Sequence, residues 1–273
     1  MFRNFRIGTR LILLTLLGGT LVVAAITGFC YFFGSRQIEK ETREKAISVA
    51  LGTAYRIEVV QQGAEKIVQG CAARIRDGGT ASPERVAEIL EDTVAQNPEL
   101  FGAAFAYATQ TSHGPRKSTA PYAYRSGSRI TLKDLGTDDY RYDIWDWYTL
   151  PRDLERSVWS EPYFDEGGGG TLMVTYSAPL YERRGNTREL VGIVTGDVAL
   201  TWLTDLLKSI RFGKTGYAFL LSKNGSYICH PKQDYVVKET VFSAAEEAGK
   251  TALRPVGRRM IAGETGYIPL RNL

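Results

Sequence analysis

Residues 172–200, LMVTYSAPLYERRGNTRELVGIVTGDVAL, decide how this chain folds. Residues 172–181 and 189–200 are two long apolar-rich runs, joined by the polar connector 183–187. Their Val, Ile, Thr and Tyr content predicts two paired strands. Upstream, residues 101–109 read as another strand, and residues 122–133 as a hairpin around Ser126-Gly127-Ser128. Downstream, a short helix is expected over 201–210. Residues 217–221 and 226–230 then flank Lys223-Asn224-Gly225, and Asn-Gly is a strong tight-hairpin signal. Residues 239–249 and 251–262 read as helices, and 267–270 as the opening of one more strand.

Ahead of the strands the pattern is helical. Ile47, Ala50, Leu51, Ala54, Ile57, Ala64, Ile67, Val68, Cys71 and Ile75 recur at helical spacing. They predict one long amphipathic helix over 36–76. Asp77-Gly78-Gly79 breaks it. A second helix over 83–96 follows, with Ser82 as N-cap, Pro83 in the first turn and Pro98 beyond the far end.

Before the long helix lies a run without charge. Residues 11–35 carry no Asp, Glu, Lys or Arg. As a helix they span about 37 Å, more than the ~20 residues a bilayer core requires. Arg3, Arg6 and Arg10 precede the run without any acid, whereas Arg36 and Lys40 are interleaved with Glu39, Glu41 and Glu44. The positive-inside rule places the N-terminus in the cytoplasm and the chain beyond residue 36 outside. A cleaved signal peptide is disfavoured by the length of the run and by bulky Phe29, Tyr31, Phe32 and Phe33 where small residues would mark cleavage. The expected location is the inner (plasma) membrane, with the rest periplasmic or extracellular.

Composition removes several function classes. The net charge is +4 over 273 residues, with no basic stripe, which argues against a nucleic-acid partner. With three cysteines, two histidines and no CxxC, neither a metal site nor a cofactor is expected. Whether Cys71 and Cys229 pair is left open. No GxSxG or HExxH motif occurs, so no catalytic residue is assigned. The 167–170 glycine run lacks the Lys-Ser/Thr of a phosphate loop. Gly213-Lys214-Thr215 lacks its upstream glycine, the position being Lys208. His230 reads as structural.

The order of elements is an α+β pattern, and four stretches together resemble a known family. They are the membrane helix leading into the long helix; residues 145–163 with Trp147-Tyr148 and Trp159-Ser160-Glu161-Pro162-Tyr163; residues 173–180 with 192–198; and residues 213–219 running to Asn224-Gly225 and His230-Pro231. The chain resembles a double-Cache sensor, the extracytoplasmic region of bacterial chemoreceptors, histidine kinases and serine phosphatases. The resemblance implies a cytoplasmic N-terminus (1–10), a transmembrane helix (11–35) and a signalling helix (36–76). Beyond these it implies a membrane-distal, ligand-binding PAS-like module (77–210) and a membrane-proximal one (211–273), which reads as incomplete. It also implies a homodimer through the long helix.

Tyr140, Tyr142, Trp145, Trp147 and Tyr148 fall within nine residues, interleaved with Asp138, Asp139, Asp143 and Asp146. Aromatic faces beside carboxylates suit a cationic group; the alternative is a core that covers the sheet. Amino-acid-binding members of the family carry a Tyr, an Arg, a Trp-Tyr pair, a later Tyr and a later Asp. Tyr140, Trp147, Tyr148, Tyr163 and Asp197 match these, and Trp145 stands where the Arg would be. That Arg would grip a carboxylate. The expected ligand is therefore an amine or amino-acid-like small molecule, an amine without a carboxylate being favoured, with Arg141 or Arg152 as substitute clamps. The competing readings are a membrane-anchored enzyme and a protein-interaction domain whose aromatics form a flat face.

Overall fold

The computed structural model describes residues 7–78, 82–111, 114–115, 117–165, 169–185, 187–212 and 216–268. Arg3, Arg6, Gly79, Gly167, Gly168, residues 213–215 and Leu270, all singled out above, lie outside them. Two compact units result. Among the described residues, one comprises 7–53 with 266–268, and the other runs from Ala54 to Thr265. Helix α1 (Ile7–Asp77) contributes to both.

In the first unit the uncharged run is helical throughout, and Leu14, Leu17, Val23 and Phe29 stand exposed. In water that exposure is unfavourable; a hydrocarbon core removes the penalty. At its end Arg36 caps the ring of Phe32 at 4.2 Å, and Phe29 packs on Phe33 at 4.4 Å. Tyr267 lies against this helix, its hydroxyl donating to Glu39 at 3.4 Å, with Arg43 over its ring.

The second unit begins with the remainder of α1 and α2 (Pro83–Gln96). Ser82 Oγ accepts from the Arg85 amide, Pro83 opens the helix, and Asn97 closes it by donating to Thr93 O at 2.7 Å. The strands are β1 (Gly102–Tyr107), the short hairpin β2 (Gln110–Thr111) and β3 (Gly114–Pro115), β4 (Pro121–Ser126) and β5 (Arg129–Asp134). Then come α3 (Asp146–Asp153), β6 (Val158–Trp159), β7 (Tyr163–Phe164), β8 (Leu172–Arg184) and β9 (Thr187–Ala199). An antiparallel sheet has the order β5-β4-β1-β9-β8-β6, with β7 also on β8. The pair that decides the fold, β8 and β9, is its longest ladder, shifted in register between Leu180 and Tyr181.

Strand alternation gives the sheet two different faces. On one, Ala103, Phe105, Tyr107, Tyr176, Ala178 and Val194 pack beneath Val68, Cys71 and Ile75 of α1 and Val86, Ile89 and Leu90 of α2. Each large aliphatic side chain buried there is worth roughly 1.5–3 kcal/mol. Gly196 lets α1 approach, since a Cβ there would meet Val68 Cγ2 at 2.4 Å. The other face carries Ala104, Ala106, Tyr122 and Ile193, covered by Tyr142, Trp147 and Tyr148.

Beyond α4 (Thr201–Ser209) come β10 (Arg211–Phe212) with β11 (Gly216–Tyr217), β12 (Leu220–Leu221) with β13 (Tyr227–Cys229), α5 (Val241–Glu247) and α6 (Arg254–Ile261). Leu203 and Leu207 pack with Cys229, and Tyr227 with Val241 and Ala244. His230 is buried, stacked on Tyr235 at 4.9 Å, and accepts the Lys232 amide at Nδ1. That is the structural role expected of it.

Two expectations are corrected and one open question is answered. No strand forms at Tyr267 or Ile268, whose backbone pairs with no neighbouring strand among the described residues, while the Tyr267 side chain lies against α1. The 239–249 helix is shorter, since Thr240 caps it through Ser243 and it ends at Glu247 before Gly249, whose φ is +65°. Cys71 and Cys229 do not pair; both are buried free thiols, in different clusters.

Candidate functional site

The site lies against the sheet face that α1 and α2 do not cover. Register fixes its floor. Gly102 on β1 and Thr175 on β8 both stand opposite Asp197 on β9, and Lys133 on β5 stands opposite Tyr122 on β4. Directly opposed residues share a face, so these side chains converge.

The wall comes from the segment between β5 and α3. Arg141 adopts φ +38°, a left-handed kink just before a short 3₁₀ turn, Tyr142–Ile144. The kink separates two aromatic sets. Tyr142 turns inward and is buried, its hydroxyl donating to Tyr107 O at 2.8 Å. Trp147 and Tyr148 follow it into the core, edge to face at 6.2 Å. Tyr140 is half-buried against that cluster and Trp145 stands exposed beside it, near-parallel with ring centroids 6.1 Å apart. The Trp145 indole N–H donates to Tyr140 O at 3.1 Å, which fixes the pair.

Between wall and floor is a cleft of about 710 Å³, lined by Lys133, Thr137, Asp139, Tyr140, Trp145, Tyr163, Phe164 and Asp165. That is the size of a small-molecule site. Asp139 and Asp165 supply its carboxylates, and Lys133 is the one cation among its described lining residues. Asp165 is buried, and one of its oxygens accepts the Gly169 amide at 2.8 Å.

Behind the cleft runs a short relay. Tyr163 Oη lies 2.8 Å from Thr175 Oγ1, and Thr175 donates to Asp197 Oδ1 at 2.8 Å. Thr175 has one proton and spends it on Asp197, so the Tyr163 hydroxyl is the donor to Thr175. Asp197 is buried, and burial pushes its carboxyl up to about 6, opposed first by the Thr175 hydrogen bond and then by the Tyr122 hydroxyl. Burial also raises Tyr140 to about 12, against the Trp147 side chain at its hydroxyl, with Asp165 and Asp197 adding to the rise. Tyr163 is raised well above the usual phenol range by burial and then by Asp197. The arrangement disfavours further negative charge and favours a cation.

The sequence-derived residues therefore divide. Tyr140, Trp145 and Tyr163 line the cleft, whereas Trp147, Tyr148 and Asp197 stand behind it. Trp147 reaches the site through Tyr140, and Asp197 through Thr175 and Tyr163. The proposed clamps do not enter. Arg141 forks onto Asp143 at 3.0 Å, and Arg152 pairs with Asp153 at 2.6 Å. Asp165 was missed, although its signal was present: it stands two residues after Tyr163, at the end of a strand with period two.

Residues 86–205 match the family described as methyl-accepting chemotaxis protein-like, first PDC sensor domain. Residues 170–270 match the Cache 3/Cache 2 fusion domain. The chain is 39% identical over 92 residues to the methyl-accepting chemotaxis protein McpA of Pseudomonas putida, covering 34% of this chain and 14% of that protein's length. It is similar to the solved extracellular domain described as that of a histidine kinase, mmHK1S-Z3. The TM-score is 0.64 at 25% identity, over 80% of this chain and 81% of that one. It is also similar to the ligand-binding domain of the amino acid chemoreceptor PctC of Pseudomonas aeruginosa in complex with GABA. There the TM-score is 0.52 at 25% identity, over 70% and 75% of the two chains. Over residues 86–270 the chain is thus similar to Cache/PDC sensor domains, the resemblance that its sequence carries.

Proposed function

We propose that this chain is the sensing portion of a membrane signal-transduction receptor and that its cleft binds a small molecule through an ammonium group. The observation that carries the reading is the cleft itself. The faces of Tyr140, Trp145 and Tyr163 surround a space whose carboxylates, Asp139 and Asp165, outnumber its one described cation, Lys133. Aromatic faces attract a cation by their quadrupole, and a desolvated carboxylate adds a charge-assisted hydrogen bond. PctC, solved with GABA, is an amine-bearing precedent among the relatives. Lys133 supplies a counter-charge for ligands that also bear a carboxylate. Uncharged residues 11–35 anchor the chain in the inner membrane, N-terminus inside and cleft outside. Ligand-induced movement in the distal module (77–210) passes to the membrane along α1.

A thermal-shift panel on the full chain in detergent micelles tests this. Alkylamines, amino acids, quaternary ammonium ions and simple carboxylates are compared at matched concentration. A ligand at a hundred times its Kd adds about 2.7 kcal/mol, a rise of several degrees for a unit of this size. Stabilisation by compounds bearing an ammonium group supports the reading. Stabilisation by carboxylates alone contradicts it.

A further inference from the structure

At the end of α2 a guanidinium is only partly engaged. Arg125, on β4, shares its strand face with Ala123, which packs beneath α1 and α2, so it points away from the cleft. Its Nε donates to Leu100 O at 3.0 Å, and its Nη2 to Asn97 O at 3.2 Å and to Val94 O. These bonds satisfy carbonyls at and just beyond the end of α2. They use Nε and Nη2 and leave Nη1, which meets no acceptor among the described residues. Nor does Arg125 form an ion pair among them.

Arg125 is half-buried in a groove of about 490 Å³, within the range of small-molecule sites. Val60 of α1, Leu100, Phe101 and Trp202 at the start of α4 give it apolar walls, and Glu99 is exposed at its rim. The Phe101 wall is set in advance. Its ring packs on Tyr124 with centroids 6.4 Å apart, and Gly169 makes room for it, since a Cβ there would meet the ring at 2.1 Å. A half-buried cation without a counter-ion, among apolar side chains, attracts an anion more strongly than it would in water.

We propose that this groove binds an apolar monocarboxylate, with its carboxylate on Arg125 Nη1 and its hydrocarbon body against Phe101 and Trp202. The guanidinium donates a charge-assisted hydrogen bond, and the walls reward apolar surface. A small hydrophilic acid gains the charge but not the walls, and an apolar amide gains the walls but not the charge. An ammonium group is repelled by Arg125, so the inference stands apart from the ammonium reading of the cleft. Glu99 opposes an incoming carboxylate and limits its affinity.

The test titrates the full chain in micelles by calorimetry with phenylacetate, acetate and phenylacetamide. Wild type is expected to bind phenylacetate at least roughly tenfold more tightly than either of the others. Arg125→Gln should weaken phenylacetate at least roughly tenfold and leave phenylacetamide unchanged. Its melting temperature should also fall, because the ties to the end of α2 are lost. Glu99→Gln avoids that loss and should tighten phenylacetate about two- to fivefold. Acetate or phenylacetamide binding as tightly as phenylacetate overturns the inference. So does a phenylacetate affinity that falls with Lys133→Gln rather than with Arg125→Gln, which would put the carboxylate in the cleft. No phenylacetate binding at all, as when a second copy of the chain covers the groove, overturns it too. If Arg125→Gln does not fold, the probe comparison on wild type and the sign of the Glu99→Gln effect decide.

Discussion

Replacing Asp197 by Asn should stabilise the ligand-free chain at neutral pH and abolish its ammonium binding. Asp197 is 4% exposed, with Thr175 donating to it at 2.8 Å. Burial raises its carboxyl from 3.8 to about 6. Between those values the folded chain holds a proton that the unfolded chain has released. Stability from this group is therefore full below pH 3.8 and is lost as pH rises through about 6. By pH 7 the loss is about 3 kcal/mol. Asn keeps the shape and an oxygen for Thr175 but carries no charge. The variant should thus exceed wild type by up to about 3 kcal/mol at pH 7, on the order of 5–10 °C in melting temperature. The gap should close near pH 4. Denaturation of both proteins in micelles from pH 4 to 7.5 measures the difference, in which the other carboxylates cancel. An Asn variant no more stable than wild type at pH 7 would refute the reasoning. The same linkage acts on ligand: wild-type affinity for a primary amine should fall about tenfold per pH unit below about pH 6, as Asp197 takes up its proton.

Two further substitutions separate binding from folding. Asp165→Asn retains an acceptor for the Gly169 amide but removes the cleft's buried charge; calorimetry should show ammonium affinity down at least roughly tenfold with the melting temperature little changed. Gly196→Ala places a methyl 2.4 Å from Val68 Cγ2 of α1. Urea titration should show it destabilised by about 1–3 kcal/mol, while the cleft, on the opposite face, keeps its affinity.

The sheet was legible because its strands announce themselves twice, by composition and by turns. Residues 172–181 fall within β8 and all but the last residue of 189–200 within β9, and Ser126-Gly127-Ser128 sits at the junction of β4 and β5. The α2 cap was equally plain, since Ser82 and Pro83 act locally. What sequence could not sort was the aromatic cluster. Trp145 and Trp147 are two residues apart, yet one is 49% exposed and the other 6%. The left-handed backbone at Arg141 and the onset of α3 at Asp146 decide which turns inward. Composition reported a dense group of rings and nothing of their direction. The arginines misled for a related reason. Arg141 and Arg152 satisfy themselves on carboxylates one or two residues away, a local bond that competes with any role in the cleft. The place of Tyr122 beside Asp197 depends on a missing Cβ at Gly102 on another strand, a pairing visible only in the register.

The most direct measurement is an experimental structure of the chain with a bound primary amine. The account predicts the ligand nitrogen among the rings of Tyr140, Trp145 and Tyr163, about 2.7–2.9 Å from a carboxylate oxygen of Asp165. A nitrogen pointing to solvent, or a ligand seated instead in the groove lined by Arg125 and Trp202, would contradict it.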